Sequence, residues 1–589
     1  MSDWKPNVVN ELKWHVQKVF PSVYDDSLSY YELLSKVIAK LNELIEQSNE
    51  YFSQDLKTYL KEILQEMKDG GDFSDLVALI IVPEIMNKIN GITDVREFGA
   101  IGDGVTDDTE AIQLALNSGK RNIAIREGNY LITSELICNT DGVNIRTDGA
   151  TLVCGATTDI NMLRVNGSNS TISLDIDGKN LAYGGIDVYG DECLIKGCNI
   201  RNIYGVRYGS FGIRVTTRNG VTISENIINN VTATSNSTLG DNVGSARGIL
   251  LTNTAAALKG SLITNNRVSY ITGEEGDAVQ ILFYDGVTFP FLDAKTTIVS
   301  NTIIGFNRRG LKIQASNVNI VGNQIDSLLN TDLTPNAVAC VNAFTLDGIL
   351  LSGNSINSNG GFVGVQITGT ATNLTRNVSI KDNKIKIATD KNAIYMDYLD
   401  TPSIVNNTID GGISSIGFGN CRNAVIVNNT LIGGTDNTSQ TAINCLASNT
   451  SPLIRGNILF GQRVYLLQLH APNSIVENNH SRGDAGNIRV YSTATNGYLV
   501  GNTNLSGSPT IIGDYTNCVV GQTKNMGTGP TNSGSVSFAS AIPSTSQPNS
   551  RHNIGDIVFN TAATSGANVG WVCTSGGNPG AWVPFGTIQ

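Results

Sequence analysis

At 589 residues the chain calls for several domains or one elongated architecture, and its 40 Lys+Arg against 51 Asp+Glu give a net charge of −11. That balance argues against nucleic acid or anionic lipid as a partner, and no apolar run approaches the ~20 residues of a bilayer span. Charged residues make up only 15%, and Gly (62) far outnumbers Pro (14), a composition of turns and β-sheet rather than disorder.

The opening MSDWKPNVVNELKW has no basic stretch followed by an apolar one, so no secretory signal is expected. Residues 1–92 read as a helical region. Ile38, Leu41, Ile45, Phe52, Tyr59 and Ile63 recur in a nearly heptad rhythm, interrupted by Ser48 and Asp55, before Gly70-Gly71 ends the helix. Such a stripe suits a multichain coiled coil or a small bundle equally. It carries no catalytic signal and reads as an attachment or oligomerisation element.

The segment DVREFGAIGDGVTDDTEAIQLALN (94–117) is the most specific in the chain. Val95–Phe98 is expected as a strand and 99–106 as a Gly/Asp turn. Asp107, Asp108 and Thr109 then cap the helix EAIQLALN. This segment resembles the opening of the pectate-lyase-like right-handed β-helix superfamily, especially its phage tailspike and polysaccharide-depolymerase branch. The resemblance implies a mainly β right-handed parallel solenoid whose first coil is covered by the helix, with Asp103, Asp107 and Asp108 in turn and cap roles. It further implies a homotrimer in a phage virion, attached to tail proteins through the N-terminal region and acting on a host-surface polysaccharide.

Residues 93–508 are expected to form that solenoid. An Asn followed two residues later by an aliphatic recurs at Asn226, Asn266, Asn301, Asn323, Asn354, Asn383, Asn407, Asn429 and Asn457, with a minimum spacing of 22 residues. That minimum is one coil and longer spacings are turn insertions; the Asn side chains form a ladder from coil to coil.

A second repeat, apolar-x-apolar, aligns outward-facing residues. It includes Ile213-Arg214-Val215, Ile249-Leu250-Leu251, Val279-Gln280-Ile281 and Leu311-Lys312-Ile313. The middle residues are expected on the solvent side by alternation, and those two before each triplet are expected there as well. One column then reads Arg214, Leu250, Gln280, Lys312 and the other Arg247, Asp277, Arg309. Glu274 and Glu275 sit at the lip of this face, the insertion 230–246 brings Asp241, and the strand end offers Tyr284, Asp285 and Phe289.

Glycosidic cleavage needs an acid to protonate the leaving oxygen and a second carboxylate to activate water or attack carbon. Neighbouring carboxylates drive their pKa values apart, and flanking cations keep one ionised. Asp277 with Glu275 or Glu274, and Asp241 in reserve, are the candidate pair. Arg247, Arg309, Lys312, Arg214, Gln280 and Tyr284 are the candidate substrate contacts. The bland alternative is a surface ion-pair ladder of little energetic weight.

GDAVQI followed by RRGLKIQ also resembles the Asp-bearing and basic strands of polygalacturonase-like glycosidases, with Asp277 matching the strand Asp and Arg309 with Lys312 the basic pair. Their doubled Asp and G-H-G strand are absent, which leaves pectin specificity unsupported. A polysaccharide lyase using Arg309 or Lys312 as base is the second reading. A teichoic-acid phosphodiesterase, with Arg247, Arg309 and Lys312 on phosphate, and a non-catalytic receptor-binding protein are the others. Hydrolysis needs no cofactor; the lyase and phosphodiesterase would add a divalent cation.

Residues 509–545 are Ser/Thr/Gly/Pro-rich and read as linker. Residues 546–589, with Trp571 and Trp582, resemble the small β modules at the ends of phage tail proteins, which implies oligomer assembly or carbohydrate binding. The nine cysteines are scattered without a CxxC motif and read as buried thiols. His15, His470, His480 and His552 are too dispersed for a metal centre.

Overall fold

The computed structural model describes residues 91–588 except 156–158, 206–208, 235–243, 328–338, 359–360, 388–390, 434–440, 462–463, 483–486, 505–510, 515–517, 521–535, 540–541, 543–555, 563 and 576–579. The expected helical region 1–92 therefore lies almost wholly outside the described residues.

From Val95 onward the fold is a parallel β-solenoid, as the resemblance implies. A coil contributes three strands, for example Leu262–Thr264, Arg267–Gly273 and Glu275–Phe283, and each pairs in parallel with its counterpart in the next coil. One wall is a parallel sheet of fifteen described strands, including Ser210–Val215, Ser245–Asn253, Glu275–Phe283, Arg309–Gln314 and Ala339–Phe344. The other two walls are joined near the start, where Asn144–Cys154 pairs with both Thr171–Ser173 and Asp175–Asp177.

The corner between those two walls explains the Asn repeat. The residue before each ladder Asn has positive φ, for example Asn265 (55°), Ser300 (56°), Asp382 (57°) and Asn406 (58°), and Gly fills the place at 322, 353, 456 and 501. This left-handed turn suits Gly, Asn and Asp, and it aims the next side chain into the interior. There Asn301 Nδ2 donates to Asn323 Oδ1 at 3.0 Å while Asn301 N donates to the same oxygen at 2.9 Å. Asn323 repeats this toward Asn354, and Asn354 toward Asn383. The ladder runs from Asn226 through Asn457 and on to Asn479 and Asn502. Beside it, Ile223, Ile263, Ile298, Ile320, Leu351, Ile380 and Ile404 stack in register, all fully buried. β-branched residues dominate because they fit a pleated, packed surface.

Three expectations need correcting. Val95–Phe98 is a 3-10 helix, not a strand. The helix Thr109–Asn117 does bury Ile112, Ala115 and Leu116 in the core. However, Asp108 makes no side-chain cap there; its carboxylate accepts from the amides of Ile101 (2.6 Å) and Gly102 (3.1 Å). Asp107 takes the helix-start role, accepting from the Thr109 amide at 3.0 Å. The expected linker is also partly structured. Ile511–Gly513 and Val519–Val520 extend the solenoid past 508, and Val536–Ala539 pairs in parallel with Ile557–Asn560. The terminal sheet is completed by Asn568–Ser575 and Ala581–Thr587, both antiparallel. All nine cysteines are buried and free. Among the described residues no helix is long and apolar enough to cross a membrane.

Replacing Asn354 with Ala strips Asn323 of its acceptor inside the solenoid. The cost should be about 2–3 kcal/mol, the usual penalty for orphaned buried polar groups. Asn319→Ala on the exposed side should change stability by less than about 0.5 kcal/mol. Urea unfolding of the two variants side by side checks this.

Candidate functional site

On the fifteen-stranded wall the backbone register pairs Arg247 with Asp277 and Asp277 with Arg309, and likewise Leu250 with Gln280 and Gln280 with Lys312. Strict alternation would turn Asp277 inward along with Val279. It does not, because Ala278 and Val279 both enter the core, and this pair of inward residues resets the phase. The same place is Gly212, Gly248 and Gly310 in neighbouring coils. A Cβ at Gly212 would lie 2.6 Å from Ile228, and one at Gly310 2.8 Å from Ile325. Only a small residue fits where the wall bends this close to the opposite one.

Asp277 consequently shares the outer side with Glu275 and Lys312, yet it is 0% exposed. Arg309 Nη1 lies 3.1 Å from its Oδ1, Arg247 Nη2 3.4 Å from its Oδ2, and Lys312 Nζ 3.5 Å from its Oδ2. The expected solvent-facing carboxylate is thus sealed beneath three cations. Its expected role in touching substrate is not available to it in this arrangement; it fixes the cations instead.

Glu275 is the carboxylate left partly open, 21% exposed. It meets Arg308 Nη1 at 2.5 Å, Arg247 Nη2 at 3.3 Å and Lys312 Nζ at 3.5 Å. Burial pushes its carboxyl up, but Lys312, Arg308, Arg247 and Arg309 outweigh this and hold it below the usual range. Burial pushes the Lys312 ammonium down, with Asp277 and Glu275 only partly offsetting burial and the adjacent arginines. Between the two acids the chain must be glycine: a Cβ at Gly276 would lie 2.0 Å from Asn307 Oδ1 and 2.6 Å from the Ile271 carbonyl.

The remaining candidates fall variously. Arg247 and Arg309 are buried, and Gln280 joins Arg247 Nε to Gln314, donating to the latter at 2.9 Å. Glu274 is exposed at the strand start, and Asp241 lies outside the described residues. Arg214, three rungs from Lys312 in the same column, is committed to Asp187 through Nε at 2.9 Å and rests 4.3 Å over the Phe211 ring. Tyr284 is misplaced by the expectation. Seven residues beyond Asp277 in an extended strand, it sits on the order of 20 Å away, packed against Phe289 and Phe291. Asp285 beside it serves the turn, and the Thr288 hydroxyl with the Thr288 and Val287 amides holds its carboxyl down at about 2.

Arg308 was missed. The doubled arginine of RRGLKI was its signal, since the residue before the strand sits at the corner that faces Glu275. Four cations therefore face two carboxylates, a surplus suited to an anionic group of a ligand. Among the described residues no group of three His, Cys, Asp or Glu could hold a metal ion.

No family model matches the chain. It is similar to the pre-neck appendage protein of Bacillus phage B103, 34% identical over 114 residues that cover 18% of this chain and 13% of that protein. The chain thus spans a small fraction of the curated relatives it matches. Among solved structures it is similar to the pre-mature gene product 12 of bacteriophage phi29, 13% identical over 78% of this chain and 61% of that one, with a TM-score of 0.43. It is also similar to the Dettilon tailspike protein, 18% identical over 72% and 68% of the respective chains, TM-score 0.37.

Because the folded Glu275 pKa is depressed, its contribution to stability is present above the unfolded value of about 4.3 and is lost as pH falls through the folded value. Thermal melts of wild type and Glu275→Gln should therefore converge on acidification below about pH 4. Asp277→Asn leaves buried cations uncompensated and should destabilise by about 3–5 kcal/mol at neutral pH.

Proposed function

We propose that the protein is a phage tail appendage that binds and depolymerises an acidic host-surface polysaccharide. The supporting observation is the cluster itself: a sealed Asp277 fixes Arg247, Arg309 and Lys312, while Glu275 stays open to solvent and ionised. The viral role draws on the pre-neck appendage proteins that match a part of the chain.

In a hydrolytic reading, Glu275 is the base or nucleophile, since cations keep it deprotonated. Its partner acid would come from Glu274, exposed beside it, or from Asp241. Arg308 and Lys312 would bind a carboxylate of the polymer and orient the scissile bond. Asp277 is a positioning residue. One observation favours elimination as the second reading: with its ammonium destabilised by burial, Lys312 is suited to take the proton next to a uronate carboxylate, whose charge the arginines would hold.

Digestion of purified capsule or wall polysaccharides, followed by mass spectrometry of fragments, tests the proposal. Glu275→Gln should lower cleavage at least about 100-fold while binding persists. The acid limb of the wild-type rate should lie below the ordinary Glu value of about 4.3. Saturated fragments indicate hydrolysis; unsaturated, ultraviolet-absorbing ends indicate elimination. Adsorption with no fragments from any polymer, or undiminished cleavage by Glu275→Gln, would overturn the assignment.

A further inference from the structure

The outward column that carries Lys312 continues, coil by coil, through Asn342, Gln366, Tyr395, Gly417, Asn444 and Gln468 to Arg489. Between the two cations the column holds no charge. Its side chains are amides, which offer both donor and acceptor to sugar hydroxyls, and one phenol. Asn444 Oδ1 is buried with no hydrogen-bond partner among the described residues.

Arg489 ends this run in an aromatic cradle. Its guanidinium lies 4.8 Å from the centre of the Tyr491 ring and 5.6 Å from that of Tyr465, and Nη1 donates to the Tyr465 hydroxyl at 3.2 Å. His470 stacks on the other phenol, ring centres 3.6 Å apart. Burial first, and Arg489 second, push its imidazole down, so it remains a neutral platform at neutral pH. Among the described residues no carboxylate pairs with Arg489. An apolar side chain would cover Tyr491 equally well; a fixed guanidinium with no counter-charge among the described residues adds instead a preorganised fork for an anion.

We infer that Arg489, with Tyr465 and Tyr491, forms a second anion-binding subsite. A single acidic polysaccharide chain then lies along the solenoid axis from the Lys312 cluster to this cradle. The inference rests on the reading that the cluster binds acidic polymer. Seven coil steps separate the two cations, roughly 34 Å at the usual inter-strand spacing. Chains long enough to reach both gain by effective concentration; shorter ones do not.

The test uses size-fractionated oligogalacturonates as acidic probes, with the full-length protein and calorimetric titration. Wild type should bind spanning chains at least about 10-fold more tightly than short ones. Arg489→Gln should abolish that gain, so that spanning chains bind no more tightly than short ones, and Arg489→Lys should keep a smaller gain. Circular dichroism confirms that the variants are folded. A wild-type affinity independent of length, no binding of any acidic chain, or a full gain in Arg489→Gln would each overturn the inference. The two readings fail separately. Loss of the length gain with polymer cleavage intact removes only this subsite, whereas an intact gain without cleavage of any polymer removes only the depolymerase.

Discussion

A buried amide in each coil from Asn226 to Asn502, bonded to its neighbours in the adjoining coils, fixes the register on which the rest of the molecule depends. Each ladder oxygen from Asn266 onward receives two N–H groups from the preceding coil, as Asn323 Oδ1 does from Asn301, so a shift of one residue would orphan several buried groups at once. Isoleucine stacking alone would not enforce this, because apolar contacts tolerate sliding. The left-handed residue preceding each Asn adds to the constraint by setting where every coil turns.

That register brings distant residues together on the opposite wall. Arg247, Asp277 and Arg309 are separated by 30 and 32 positions in the chain but occupy successive rungs. Their packing places an ion cluster where charges are only partly hydrated. Desolvation works against every member, and mutual pairing offsets it. The outcome differs by position. Asp277 is enclosed and serves as a fixed counter-charge, whereas Glu275, two residues nearer the strand start, keeps contact with solvent. Alternation along the strand sets the two acids on the same side of the wall, and close backbone approach requires glycine between them at 276.

Charge is then distributed unevenly along this face. Cations outnumber acids at the cluster, the Lys312 column then carries no charge, and a guanidinium held by aromatic rings, with no carboxylate partner among the described residues, stands seven coils on. Such spacing presents an extended rather than a compact binding surface, a natural consequence of a solenoid in which each coil supplies one residue to each column.

The repeat of Asn and aliphatic residues was legible because every coil obeys the same steric rule, and so were the column pairings that follow from it. Sequence also indicated the helix at 109–117, since the polar residues that start it are local, and its covering role followed from the family resemblance. What it did not determine was depth. Strict alternation gave no warning that Ala278 and Val279 would both turn inward, nor that Asp277 would be sealed by the very cations it recruits. It set Tyr284 with the acids because the residues are close in number, although an extended strand carries it away. The role of Arg308 escaped for a related reason, as a corner residue belongs to no column. Local pattern fixes which residues share a rung. Solvent access, and with it the division between Asp277 and Glu275, arises only when neighbouring coils close over one another.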